Sequence, residues 1–154
     1  MSEPIKRNEA LKPISRDHHH ALLLGWKIRQ GIKNKIPAER IKKYVDWFWS
    51  SYLENHFELE ENNLYPVLGS DHASIKKAMQ HHEKLRNLFL SKEQTIQQLD
   101  ELQNELDRHI RFEEREMFNE IQNAASAKQL QDMAAVHNEP FHDNYSDEFW
   151  VAKK

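Results

Sequence analysis

Leu99, Leu102, Leu106, His109, Glu113, Met117 and Ile121 recur at steps of three and four through a stretch with neither Gly nor Pro. That spacing puts all seven on one face of a helix. A second stretch repeats the pattern with Ile41, Val45, Trp49, Tyr52, His56, Glu60 and Leu64. Each stripe is apolar except for a histidine followed four residues later by a glutamate. A carboxylate turned into an apolar core is costly unless something pairs with it. The chain is therefore expected to fold as packed helices whose interior holds a partner for these groups.

Composition agrees. The 154 residues suffice for one domain with a sizeable core. Three Gly and abundant Glu, Lys, Gln, Leu and Ala favour an all-α fold. A net charge of -3 gives no basic footprint and argues against a nucleic-acid partner. No apolar run approaches the ~18 residues of a membrane span, so no membrane partner is expected. The N-terminal residues lack the apolar segment of a secretory signal, and there is no cysteine, which fits a cytoplasmic location. The lack of cysteine excludes disulfides, thiolate-bound zinc and cysteine-ligated iron–sulfur clusters. Ten histidines remain. "DHHH" at 17–20 runs straight into an apolar helix and is no terminal tag. A metal site in this chain would use nitrogen and oxygen ligands.

A loose arm is expected over residues 1–13. Helices follow over about 15–33, 37–65, 71–90, 92–123 and 126–137. Ser15 is a candidate N-cap, Pro37 a first-turn proline, and Ser70 or Asp71 a cap for the third helix. Pro66 and Gly69 end the second helix, Ser91 marks a break, and Pro140 follows the last. Four long helices with short connections predict an up-down-up-down four-helix bundle over 10–123. A short C-terminal helix and aromatic tail occupy 124–154.

Of the ten histidines, His56 and His109 alone have a Glu four residues on. Residues i and i+4 stack on a helix face, so each helix aims an imidazole and a carboxylate the same way. One such pair is a weak signal. Two on inward stripes, each followed by a second glutamate (Glu61, Glu114), are a much better one. On the first helix His18 is in phase with Ile14, Ala21, Gly25 and Ile28. His19 is second choice, and His20 fits less well. On the third, His82 is in phase with Ile75, Met79, Leu85 and Phe89, and His81 stays open beside it. The set His18, His56, Glu60, His82, His109 and Glu113 would suit two metal ions. Two carboxylates bridge the pair and two imidazoles complete each ion, with positions left for solvent or a small ligand. Iron suits this donor set best, with manganese or zinc as alternatives. Cations would also neutralise the buried glutamates.

The ordered segments "SRDHHHALLL", "HFELEENNLYPVL", "MQHHEKLRNL" and "HIRFEEREMFNEI" resemble the hemerythrin-like, or HHE cation-binding, family over roughly residues 10 to 123. The resemblance implies a four-helix bundle with a non-haem di-iron centre, oxo- or hydroxo-bridged, that binds O2 or NO or takes part in iron and redox handling. Carried over residue by residue, its ligands are His18, His56, Glu60, His82, His109 and Glu113. Oxygen carriers of the family place two histidines four apart on the third helix. Here Arg86 follows His82 and Leu85 follows His81 at that distance. The four-histidine, two-glutamate set is more similar to the iron–sulfur repair branch, whose N-terminal cysteine segment has no counterpart here.

The competing readings are plainer. The two His–Glu pairs could be buried hydrogen bonds in an ordinary bundle. His72, His137 and His142 read as surface residues. Glu61 and Glu114 read as supports behind the ligands or solvent-facing groups. Trp26, Trp47, Trp49, Phe57, Phe112 and Phe118 read as packing or as a shell limiting solvent access. A ferritin-like di-iron oxidase needs Glu-x-x-His on two helices, and the sole example here, Glu139 to His142, is split by Pro140. Three functions fit the set: binding or sensing of O2, NO or peroxide, redox turnover of peroxide or NO, and iron storage or donation. No nucleophile triad, phosphate loop or nucleotide fingerprint supports a hydrolase or NTPase.

Overall fold

The computed structural model describes residues 7–93, 95–136 and 141–151. Every regular element among them is helical. Helix α1 spans Lys12–Lys33 and opens with Pro13 in its first turn. It starts ahead of Ser15, which caps nothing: its hydroxyl donates to Glu114 Oε1 at 2.6 Å. α1 closes with Ile36 N–H on Gly31 C=O (2.9 Å) and Lys35 N–H on Ile32 C=O (3.1 Å). Lys35 takes the left-handed position of that closure, with φ 59°.

The second helical stretch is not uniform. It comprises α2 (Ala38–Phe48), a π-turn (Trp49–Leu53), α3 (Glu54–Leu59), a second π-turn (Glu60–Leu64) and a 3-10 turn (Tyr65–Val67). Gly69, with φ 90°, ends it. α4 spans Ala73–Leu90. Its cap is His72, not Ser70 or Asp71: the imidazole Nδ1 accepts Ser74 N–H at 3.1 Å. His72 also meets Glu120 at 3.1 Å, so it is not a bare surface residue. α5 (Ile96–Phe112) begins at Thr95, whose hydroxyl accepts Gln98 N–H at 3.1 Å, four residues later than the expected start. A third π-turn (Glu113–Met117), α6 (Phe118–Ala124) and α7 (Ala127–Val136) follow. His137 and Pro140 lie outside the described residues.

α1 packs most extensively on α5, α4 packs on α5, and α2 touches all three. The interior divides into two apolar clusters that share no residue. One holds Leu24, Ile28, Val45, Phe57, Leu85 and Leu106; the other holds Ile14, Leu64, Ile75, Met117, Phe118 and Ile121. Along α1 the chain passes from the second cluster (Ile14) to the first (Leu24), and along 38–67 it returns from Val45 to Leu64. α4 repeats the first direction (Ile75 to Leu85) and α5 with α6 the second (Leu106 to Ile121). Each of the four passes crosses from one cluster to the other through buried polar residues: His18, then His56 and Glu60, then His82, then His109 and Glu113.

The described residues are tied down at both of their ends. Residues 7–11 are not a loose arm: Leu11 is fully buried, and Arg7 bonds Glu114 at its carbonyl (2.7 Å) and carboxylate (3.2 Å). The tail over 141–151 lies on the first cluster, with Phe149 buried in it and Phe141 stacked on Tyr52 at 4.3 Å. Lys27 donates to Asp143 (2.7 Å) and Tyr44 (3.1 Å), and Arg40 grips Asp147 through two bonds of 2.8 and 2.6 Å. Trp26 is not a packing residue; 42% of its surface is exposed. No helix among the described residues is long and apolar enough to cross a membrane.

Candidate metal centre

The six residues singled out by helix phase meet in one buried layer. His18, His56, Glu60, His82, His109 and Glu113 are all buried, and the two glutamates are completely so. His19 is exposed and His81 half-buried, so the buried member of each pair, His18 and His82, is the one that lies in this layer. Potential ligand atoms fall into two groups with one shared residue: Glu60 with His82, His109 and Glu113, and Glu60 with His18 and His56.

In the first group His82 Nε2 lies 3.1 Å from His109 Nε2, 3.5 Å from Glu60 Oε1 and 3.8 Å from Glu113 Oε1. His109 Nε2 contacts the same Glu113 oxygen. In the second, His56 Nε2 is 3.3 Å from Glu60 Oε1 and His18 Nε2 is 3.9 Å from Glu60 Oε2. His18 Nε2 is also 3.7 Å from Glu113 Oε2, so each glutamate faces both groups with separate oxygens or from between them.

These atoms converge without bonding one another well. His56 Nε2, both Glu60 oxygens and Glu113 Oε2 are buried with no hydrogen-bond partner. Such orphaned groups cost about 1–3 kcal/mol each, more when charged, unless something else compensates. The donor set suits the compensation that a cation provides: imidazole nitrogens and carboxylate oxygens, all within 4.8 Å of one another in each group. The buried His/Glu group could therefore hold a metal ion.

The far nitrogen of every imidazole is engaged. His18 Nδ1 meets Glu114 Oε1 at 2.8 Å, His56 Nδ1 meets Asp17 Oδ2 at 3.5 Å, and His82 Nδ1 meets Glu61 Oε2 at 3.3 Å. Arg86 holds Glu61 in turn with bonds of 2.9 and 2.5 Å. Burial would raise the Glu61 pKa, but His82 and Arg86 outweigh it and bring it to about 2. His109 Nδ1 is 3.1 Å from His81 Nδ1. Burial first, and then His109 and Lys77, lower the His81 pKa to about 4, which makes His81 the neutral partner in this contact. Fixing the far nitrogen in this way leaves Nε2 facing the layer.

Charge tells the same story. Burial alone would lower His56 and His82, yet the carboxylates around them raise each to about 10. Glu113 is held well below the usual carboxylate range, since His109 and His82 outweigh its burial.

Helix phase alone missed two contributors, Asp17 and Tyr65. Asp17 stands beside His18, and adjacency was its one signal; His81, left open beside His82, takes a place behind His109 instead. Tyr65 donates to Glu113 Oε1 at 3.1 Å and lies 3.1 Å from His82 Nε2. Phe118 and Phe57, both read as packing or as a shell limiting solvent access, stack on His18 at 5.3 Å and on His82 at 3.9 Å. Tyr65 and Phe118 each follow a layer glutamate by five residues, across a π-turn that begins at that glutamate. At 3.6 residues per turn a position five on points about 140° away. The i→i+5 spacing of the π-turn brings it back over the site.

No family model, no curated protein and no solved structure matches the chain. The fold and the site define an all-helical protein with a buried His/Glu group suited to a metal ion.

Proposed function

We propose that the chain is a hemerythrin-like protein: an up-down-up-down four-helix bundle that holds two metal ions, iron by preference, and binds or senses O2, NO or peroxide there. The observation that carries this reading is the set of orphaned atoms on His56, Glu60 and Glu113, buried and facing one another. The alternation of the four helical passes between two apolar clusters supports the bundle. His18 and His56 would hold one ion, His82 and His109 the other, and Glu60 and Glu113 would span both. The metals would supply open positions for a small ligand. The residues supply the rest: Asp17, Glu61, Glu114 and His81 orient the imidazoles, while Phe57 and Phe118 limit water. Arg86 stands where the oxygen carriers place a further histidine, and its bond to Glu61 makes it a support for His82.

Metal analysis after anaerobic Fe(II) loading tests this. About two ions per chain are expected, falling by one or both in Glu60→Ala and Glu113→Ala. A wild-type chain that takes up no metal would leave the His–Glu contacts structural and end the proposal.

A further inference from the structure

A surface pocket of about 460 Å³ opens beside the layer, lined by Glu61, Tyr65, Pro66, Ile75 and Met79 among others. Two of its lining residues also touch the layer. Tyr65 reaches His82 and Glu113 with its hydroxyl, and Glu61 reaches His82 with its carboxylate. Tyr65 is 2% exposed and His82 fully buried, so the tyrosine stands between the pocket and the imidazole. Pro66, Ile75 and Met79 make the wall apolar, and the Glu61 charge is neutralised by Arg86. Such a wall admits a small uncharged molecule more readily than an anion or a cation.

We infer that this pocket is the route by which a small uncharged molecule reaches the His82–His109 side of the layer, with the Tyr65 hydroxyl as the hydrogen-bond donor it meets there. The inference rests on the metal reading above and adds an asymmetry to it. Tyr65 serves the His82–His109 group, and Phe118, which has no hydroxyl, takes the corresponding place beside His18. A second pocket, of about 450 Å³, is lined by Lys42, Trp49, Phe89 and Leu90 and includes no residue of the layer. It serves as the control.

Nitric oxide gas, mixed with anaerobically iron-loaded protein and followed by absorbance in stopped flow, is the probe. Metal content is measured on the same samples. Met79→Trp narrows the pocket from its exposed rim, since Met79 is 39% exposed. It should leave metal content unchanged and slow association and dissociation by the same factor, roughly tenfold, because a narrowed route alters rates and not affinity. Leu90→Trp, at the control pocket, should change neither. Tyr65→Phe should keep the metal and speed dissociation by roughly threefold to tenfold, the worth of one hydrogen bond. Metal-loaded Met79→Trp with wild-type rates would overturn the route while leaving the metal reading intact. A wild-type chain that binds no metal would overturn both.

Discussion

Phe149 lies so close to Gly31 that a β-carbon at position 31 would sit 2.9 Å from its ring, and 2.8 Å from Ile41 Cδ1 on the other side. The aromatic tail therefore docks on α1 through a missing side chain. Gly31→Ala should destabilise the protein by about 1–3 kcal/mol, as overpacking does. In a Phe149→Ala background the same substitution should cost less. Chemical denaturation of the four chains of this cycle checks it; equal costs in both backgrounds would mean that Ile41, not the tail, is what Gly31 accommodates.

Acid should release the tail. Burial would raise the Asp143 pKa, but Lys27 and Tyr44 outweigh it and hold it below its ordinary 3.8. A carboxylate depressed in the folded state adds stability above its unfolded pKa and loses it as pH falls through the folded one. The tail contacts should hold above about pH 4 and weaken below it. Trp150, whose ring lies 4.0 Å from Lys27 Nζ, should report this by fluorescence. Asp143→Asn should shrink the transition to the part set by the Arg40–Asp147 pair.

Metal uptake should release protons. The carboxylates around His56 and His82 raise their pKa to about 10 against the effect of burial, and coordination needs the free base. Loading at pH 7 should expel about two protons per chain, and apparent affinity should climb with pH by up to roughly a hundredfold per unit. Calorimetry in buffers of different ionisation enthalpy counts the protons. The metal-free fold has its own dependence. Groups raised from 6.5 to about 10 give stability that is fully present below pH 6.5 and lost as pH rises toward 10. Metal should remove that loss.

The supports behind the imidazoles should matter nearly as much as the ligands. Asp17→Asn and Glu61→Gln should weaken metal binding by roughly 10–100-fold while the helix content by circular dichroism stays unchanged. Glu60→Ala should be worse than Glu61→Ala, since Glu60 faces both groups of ligand atoms. The reverse order, measured by competition with a chromophoric chelator, would mean that the wrong glutamate has been placed at the centre.

How far the chain could be read in advance follows from what helix periodicity encodes. It reports which face of a regular helix is buried, so His18, His56, Glu60, His82, His109 and Glu113 were all legible from their apolar neighbours. It says little about where a helix starts: Pro13 and Thr95 opened helices that Ser15 and Ser91 had been expected to bound. It fails wherever the period changes. Tyr65 and Phe118 were out of phase by α-helical reckoning and entered the site across π-turns. The tail carried no periodicity at all. Its place was fixed by pairwise partners far away in sequence, Lys27 with Asp143 and Arg40 with Asp147.

The two apolar clusters, disjoint and separated by a layer of ionisable side chains, make this chain two half-cores joined by a septum. Hydrophobic burial knits each half together but does not run continuously from one to the other. The four helical passes carry the backbone through the septum, and Glu60 and Glu113 are the buried charges it contains, so a ligand that neutralises them should tie the opening of one half to the opening of the other. With the septum neutralised the halves should melt as a unit; with it unbalanced, the half carrying Ile14 and Ile121 should open before the half that the tail covers.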